Sequence, residues 1–248
     1  MRGSAYGGHA EYTVMRADGP VARMPRNMSF DQAVTLVFGG ITARGFLNQV
    51  EIAAGTTVLV NGASGAVGTA AIQLATHLGA EVTAVTSGRN RELVNELGAD
   101  HVIDYTMEDF WSSGRRYDVI VDCVGNLPFA QLKATVEPGG AVLHVISDFA
   151  AVFFSPVRSR AADTLFTAAV GPYRADDLRY LVELAEAGRY RAVIDRTYDL
   201  ADITKAHRYV DTGRKRGNVV IRITASGAGR CHDKDATVAP RAPVRGDI

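Results

Sequence analysis

The chain has 248 residues, 47% hydrophobic and 22% charged, and its 27 basic side chains balance 27 acidic ones. That is enough apolar material for a sizeable core, while zero net charge supplies no electrostatic footprint for nucleic acid or a membrane surface. No apolar run reaches membrane-spanning length, the start "MRGSAYGGHAEYTV" lacks a signal-peptide core, and two cysteines, Cys123 and Cys231, make no disulfide framework; a reducing cytoplasm is the expected setting.

Residues 1–28 read as short strands and turns, with "AEYTVM" (10–15) the clearest strand. Ser29 and Gln32 have capping-box spacing, so a helix is predicted from Phe30. Gly39-Gly40 is expected to end it, and "ITARGFLNQV" to start another. From residue 57 the pattern changes to apolar runs alternating with helical stretches. "TVLVN", "EVTAVTS", "HVID", "YDVIVDCVG" and "GAVLHVIS" read as strands. "AVGTAAIQLATHLG" and "NRELVNELG" read as helices closed by Gly79 and Gly98. Strands alternating with helices predict crossover units and a parallel sheet, and their continuous apolar character predicts burial on both faces. Further on, "ADDLRYLVELAEAG" is an amphipathic helix with Leu178, Leu181, Val182 and Leu184 on one stripe. "AVIDRTYDL", "ADITKAHRYVDTG" and "GNVVIRI" read as strand, helix, strand. The tail from Thr224 has no periodicity, and 225–248 is expected to be disordered.

The stretch "VLVNGASGAVG" (58–68) stops an apolar strand in a glycine-rich turn that opens a helix. From Ala63 it reads A-x-G-x-x-G. Gly65 would let a pyrophosphate approach the backbone, and Gly68 would let helix and strand pack closely. The free N–H groups of the helix N-terminus would hold the phosphates, and the Ser64 hydroxyl adds a possible donor. The alternative is a tight turn that serves packing alone. The second strand selects the cofactor. Its end reads "VTSGRN", with Ser87 and Arg89 where an NAD site usually places a carboxylate. A hydroxyl and a guanidinium suit a 2′-phosphate, so NADPH is expected over NADH.

"GGHAEYTVM", "PRNMSFDQAVTLVFGGITARGFL", the glycine turn, "LGADHVIDYTMEDF", "YDVIVDCVG", "EPGG" and "AHRYVDTGRKRGNVVI" occur in that order. Together they resemble the zinc-independent medium-chain dehydrogenase/reductases, in the branch of NADPH:quinone oxidoreductases and enone reductases, over about residues 6–222. The resemblance implies an α/β fold, a doubly wound parallel-sheet Rossmann domain, joined to a GroES-like β-rich substrate domain. The latter would be incomplete here, because family members carry a long segment ahead of "GGHAEY". The implied division is 1–41 as a remnant of the substrate domain, 42–188 as the Rossmann domain, 189–224 as the return to the substrate domain, and 225–248 as the tail. By resemblance, Gly65, Ala66 and Val67 hold the pyrophosphate, and Ser87 and Arg89 the 2′-phosphate. Tyr105 lies beside the adenosine phosphate, Cys123 and Val145 at strand ends beside the cofactor, and Thr42 near the nicotinamide. Each has a plainer reading; Cys123, for one, serves equally as a small buried apolar residue.

No zinc site is expected. Two distant cysteines cannot form a Cys₄ site, the six histidines are scattered, and Cys231-His232 falls in the tail. Without a Lewis acid, hydride delivery suits an acceptor that is already electrophilic. The expected function is therefore an NADPH-dependent, zinc-independent reductase of a quinone or α,β-unsaturated carbonyl, for which no catalytic side chain can be named. The competing readings are a truncated NADPH-binding protein of little activity, including a fragment from an internal start, and an alcohol dehydrogenase-like reductase. The only other partner expected is a second copy of the chain, joined through sheet edges.

Overall fold

The computed structural model describes residues 8–16, 19–146 and 163–223. The tail, with Cys231 and His232, lies outside the described residues. The first helical stretch begins as its sequence dictates. The Ser29 hydroxyl accepts from the Gln32 N–H, and the Gln32 side chain accepts from the Ser29 N–H, at the start of α1 (Phe30–Thr35). Gly39-Gly40 does not end the helical run, contrary to expectation. The backbone passes through a π-helical turn at Leu36–Gly40 and continues as α2 (Ile41–Leu47), with Gly40 at helical angles. Both glycines are buried. A Cβ on Gly39 would strike the Ala66 carbonyl, and one on Gly40 would crowd Leu181. The pair is there for close packing, and packing overrides the breaker signal.

The central sheet contains β1 (Thr57–Asn61), β2 (Glu81–Thr86), β3 (His101–Asp104), β4 (Tyr117–Asp122), β5 (Val136–His144) and β6 (Leu165–Thr167). All pairings are parallel, in the order β3-β2-β1-β4-β5-β6. The chain builds outward from β1 through β2 to β3, then crosses back to β4 and builds the other way. The reversal between β1 and β4 is the topological switch point of a Rossmann-like sheet, where a crevice opens beyond the carboxyl ends of the strands.

Burial on both faces follows from the apolar runs. Val58, Val60, Val119, Val121, Ala141 and Leu143 face one way, into a core with α2, α3 (Ala66–His77) and α6 (Ala175–Glu186). Leu59, Ile120 and Val142 face the other way, onto Phe110, Phe166 and Leu132 of α5 (Phe129–Thr135). α4 (Arg91–Glu96) joins β2 to β3. Gly79 and Gly98 follow the C-caps of α3 and α4 with φ of 88° and 104°, a conformation that favours glycine.

A second, two-stranded parallel sheet is formed by β7 (Ile194–Asp199) and β8 (Asn218–Arg222), joined through α7 (Ile203–Asp211). Residues 10–15 form no strand, which corrects the expectation for "AEYTVM". Alternating residues make a strand only beside a partner. No described strand pairs with this segment, and Tyr12 and Val14 are exposed.

Candidate functional site

A cleft of about 930 Å³ lies at the carboxyl ends of the central strands. It is lined by Asn61 and Thr86 at the ends of β1 and β2, and by Cys123 and Val145 just beyond β4 and β5. The glycine turn supplies one side, from Gly62 through Gly68. The three glycines do different work. Gly62 has φ of 77°, and a Cβ there would press on Val124 and Cys123. A Cβ on Gly68 would overlap the Gly62 carbonyl and the Ala63 backbone, so this glycine sets the approach of α3 to β1. At Gly65 a Cβ would meet only the Gly62 oxygen, at 3.3 Å; its remaining side is open. Gly65 is also the N-cap of α3 and offers no side-chain cap to the first turn. The N–H groups there have no partner inside the helix and carry its positive dipole end, so an anion is the complementary ligand.

Eight of the ten residues picked out in the sequence line this cleft: Thr42, Ser64, Gly65, Ala66, Val67, Tyr105, Cys123 and Val145. Thr42 sits in the first turn of α2, and Tyr105 follows β3 and is 59% exposed. Ser87 and Arg89 do not line it. The Ser87 hydroxyl accepts from the Asn90 amide at 3.2 Å. Arg89 turns into an adjoining cavity of about 520 Å³ with Arg196, Tyr209, Thr212 and Arg214. The end of β2 carries no carboxylate of its own. Asp104, at the end of neighbouring β3, accepts from the Thr106 hydroxyl at 2.7 Å and its N–H at 2.9 Å. Those bonds, with one from the Gly88 backbone, hold the carboxyl below its ordinary value, and it lines neither cavity.

Three features of the site were not read from the sequence. Asn90 is buried, and its amide donates to Ser64, Thr86 and Ser87 at 3.1–3.3 Å, tying the glycine turn to the end of β2. Lys215 lines the cleft, with its ammonium donating to the Gly217 carbonyl at 2.9 Å. Burial pulls its pKa below the ordinary lysine value, opposed by Asp195. The basic run "GRKRG" was the available signal, but nothing in it says which residue turns inward. The third feature is the floor. Asp122 is fully buried and accepts from the Asn61 amide at 2.9 Å and from the Val124 and Gly125 N–H groups at 3.1 and 3.0 Å. Its second oxygen lies 3.4 Å from His144 Nδ1. Burial pushes this carboxyl up, yet the approach of His144 and the bonds from Gly125, Val124 and Asn61 outweigh it and hold the pKa below its ordinary value. The network fixes the turn that presents Cys123 and Val124 to the cleft. Burial, reinforced by the Asp122 charge, pushes the Cys123 thiol far above its ordinary value. That environment favours the neutral thiol, so Cys123 suits the role of a small wall of the cleft.

Among the described residues, no three His, Cys, Asp or Glu side chains converge on a point that could hold a metal ion. The donor set for a zinc ion does not fit these residues, whereas the glycine turn, the uncapped helix start and Lys215 fit the phosphates of a dinucleotide.

The switch-point cleft and its glycine turn define a Rossmann-type dinucleotide-binding unit. The family described as zinc-binding dehydrogenase matches residues 97–221. The chain is 34% identical over 220 residues to 2-methylene-furan-3-one reductase of Solanum lycopersicum, covering 87% of this chain and 53% of that protein. It is 30% identical over 227 residues to the chloroplast envelope quinone oxidoreductase homolog of Arabidopsis thaliana, covering 87% and 68%. The quinone oxidoreductase structure from Coxiella burnetii superposes with a TM-score of 0.75 at 30% identity, covering 82% of this chain and 64% of that one. The chain belongs to this family, the medium-chain dehydrogenase/reductases, a family of oxidoreductases. It spans between 53% and 68% of the length of the curated relatives it matches.

Proposed function

We propose that the protein is an NADPH-dependent oxidoreductase that passes hydride to a quinone or an α,β-unsaturated carbonyl without zinc. The observation that carries this reading is the Gly65 turn, open on the cleft side and leading into the uncapped start of α3 at the switch point. Gly65, Ala66 and Val67 would hold the pyrophosphate on backbone N–H groups, with Lys215 adding a cation. Tyr105 and the edge-to-face pair Phe110–Trp111 would flank the adenosine half. Thr42, Cys123 and Val145 would flank the nicotinamide half, with Val170 and Tyr173 as further apolar lining of the cleft. When bound, the nicotinamide supplies the hydride. The chain's own contribution is to orient it against an acceptor and keep water away.

The character of the cleft lining and the names of relatives support this acceptor class. Among the described residues, Lys215 is the one charged side chain lining the cleft, and no metal donor set converges to polarise a simple carbonyl. A conjugated acceptor is already electrophilic and needs alignment more than acid catalysis. Relatives named as quinone oxidoreductases and as 2-methylene-furan-3-one reductase support the same class. The test is oxidation of NADPH by the purified chain with a simple quinone and a simple enone. Consumption with at least one of them is expected, and none with a saturated ketone.

A second reading, NADPH binding with little turnover, is favoured by one observation. Phe38 lines the cleft yet is 65% exposed, so the acceptor side is open to water. Tight NADPH binding with no oxidation by either acceptor would select it.

A further inference from the structure

The loop 212–217 runs along the glycine turn and serves two cavities at once. It is pinned there by the Gly217 N–H, which donates to the Ser64 carbonyl at 2.7 Å, and by a bridge between Gly65 and Gly217. Successive residues then alternate. Gly213 and Lys215 line the large cleft, while Thr212 and Arg214 line the smaller cavity. The other side of the smaller cavity comes from Arg89, three residues beyond the cleft-lining Thr86. The two spaces are therefore adjacent along two separate stretches of chain.

Three arginines line the smaller cavity, from three different elements: Arg89 after β2, Arg196 on β7, and Arg214 in the loop. Among the described residues none of the three forms a salt bridge, whereas Arg26, Arg44, Arg115, Arg179, Arg191 and Arg222 each do. Arg89 makes one long bond, to the Arg214 carbonyl at 3.4 Å. Arg196 lies over the Tyr209 ring at 3.8 Å and bonds the Tyr198 side chain, which with the nearby Asp195 charge raises its pKa. Asp195, its neighbour in the chain, is engaged instead by the Tyr209 hydroxyl at 2.5 Å and the Arg216 N–H at 2.8 Å. The three cations face one nearby carboxylate, that of Asp195, so the cavity keeps an excess of positive charge that a bound multivalent anion would offset. Planar guanidinium forks from several sides match the oxygens of a phosphate monoester.

We infer that this cavity is the seat of the cofactor's 2′-phosphate, with Arg214 and Arg196, alongside Arg89, as the residues that set selectivity for NADPH over NADH. The inference rests on the dinucleotide reading of the cleft. It adds that selectivity is divided between the end of β2 and the C-terminal part of the chain. An adenosine lying beyond Thr86 would place its ribose at the mouth of the cavity, between Arg89 and Arg214, while its pyrophosphate meets Gly65 and Lys215.

Calorimetry on the full chain with NADPH, NADH, 2′,5′-ADP and 5′-AMP tests this, with Arg214→Ala, Arg196→Ala and Arg214→Lys as variants and melting temperature as the check on folding. Both alanine variants should weaken NADPH and 2′,5′-ADP by about tenfold or more. NADH and 5′-AMP should be unchanged, and Arg214→Lys should recover part of the loss. Equal losses for all four ligands, or no loss, would overturn the assignment. If the native chain binds NADH and NADPH alike, the selectivity inference fails while the dinucleotide reading stands. If it binds 2′,5′-ADP but neither dinucleotide, the phosphate cavity stands and the nicotinamide reading fails.

Discussion

The backbone N–H of Gly217 donates to the carbonyl oxygen of Ser64 at 2.7 Å, joining the loop before β8 to the glycine turn after β1. The bond holds one wall of the cleft against the other, and Gly217 makes it at φ of 63°. A Cβ at this position would overlap the Val193 carbonyl and side chain. Gly217→Ala is therefore strained by its backbone and by its surroundings. It should cost about 1–3 kcal/mol in urea unfolding and weaken the dinucleotide as the loop shifts. A variant with native stability and native affinity would show that the loop is not held through this glycine.

Gly65 and Gly68 should separate binding from packing. Gly65→Val adds atoms on the open side of the turn, at extended backbone angles that any residue adopts. The fold should survive, and dinucleotide binding should be lost in a calorimetric titration. Gly68→Ala drives a methyl into the Gly62 carbonyl and the Ala63 backbone. It should lower stability by about 1–3 kcal/mol even without ligand. Native affinity in a folded Gly65→Val would leave the turn a packing device only.

Lys215→Met keeps the apolar stem and removes the ammonium. Because Lys215 is placed at the shared pyrophosphate and not at the 2′-phosphate, NADPH and NADH should weaken together, by about 1.5–3 kcal/mol. Arg89→Ala should weaken NADPH by a similar amount and spare NADH. A selective effect of Lys215→Met on NADPH alone would reverse these two assignments.

The Asp122 network predicts a pH dependence of stability. The folded-state pKa is depressed below its ordinary value, so its contribution is fully present above that value and is lost as pH falls through the lower folded value. Asp122→Asn should cost about 1–3 kcal/mol near neutral pH, because the N–H donors of Val124 and Gly125 and the Asn61 amide lose their charged acceptor. The gap between variant and native chain should narrow as pH falls below about 4. Urea unfolding at several pH values reads this directly, and a gap that widens in acid would contradict it.

Strands β1, β2 and β4 are legible in the sequence because a doubly buried parallel strand needs an uninterrupted apolar run, as in Val58–Val60 and Val119–Val121. The turn is legible because close packing at Gly62 and Gly68 excludes every larger residue. Features that depend on distant partners are not. Gly39-Gly40 looks like a helix end until the Ala66 carbonyl and Leu181 are placed against it. "AEYTVM" looks like a strand, but alternation cannot supply a neighbour to pair with. Arg89 follows β2 in the sequence, but that it turns away from the cleft toward the Arg214 carbonyl depends on a loop held by the Ser64–Gly217 bond. Lys215 and Asn90 escaped notice for the same reason: their roles exist only once separate parts of the chain meet at the turn.

The most direct test of the dinucleotide cleft is a paired titration of the native chain and Gly65→Val with NADPH, followed by nicotinamide fluorescence and by melting temperature. The native chain should bind one NADPH per chain, enhance its fluorescence and melt at a higher temperature when loaded, while the folded variant shows none of these changes. Native chain that stays folded but neither binds NADPH or NADH nor gains stability from them would contradict the assignment of the cleft.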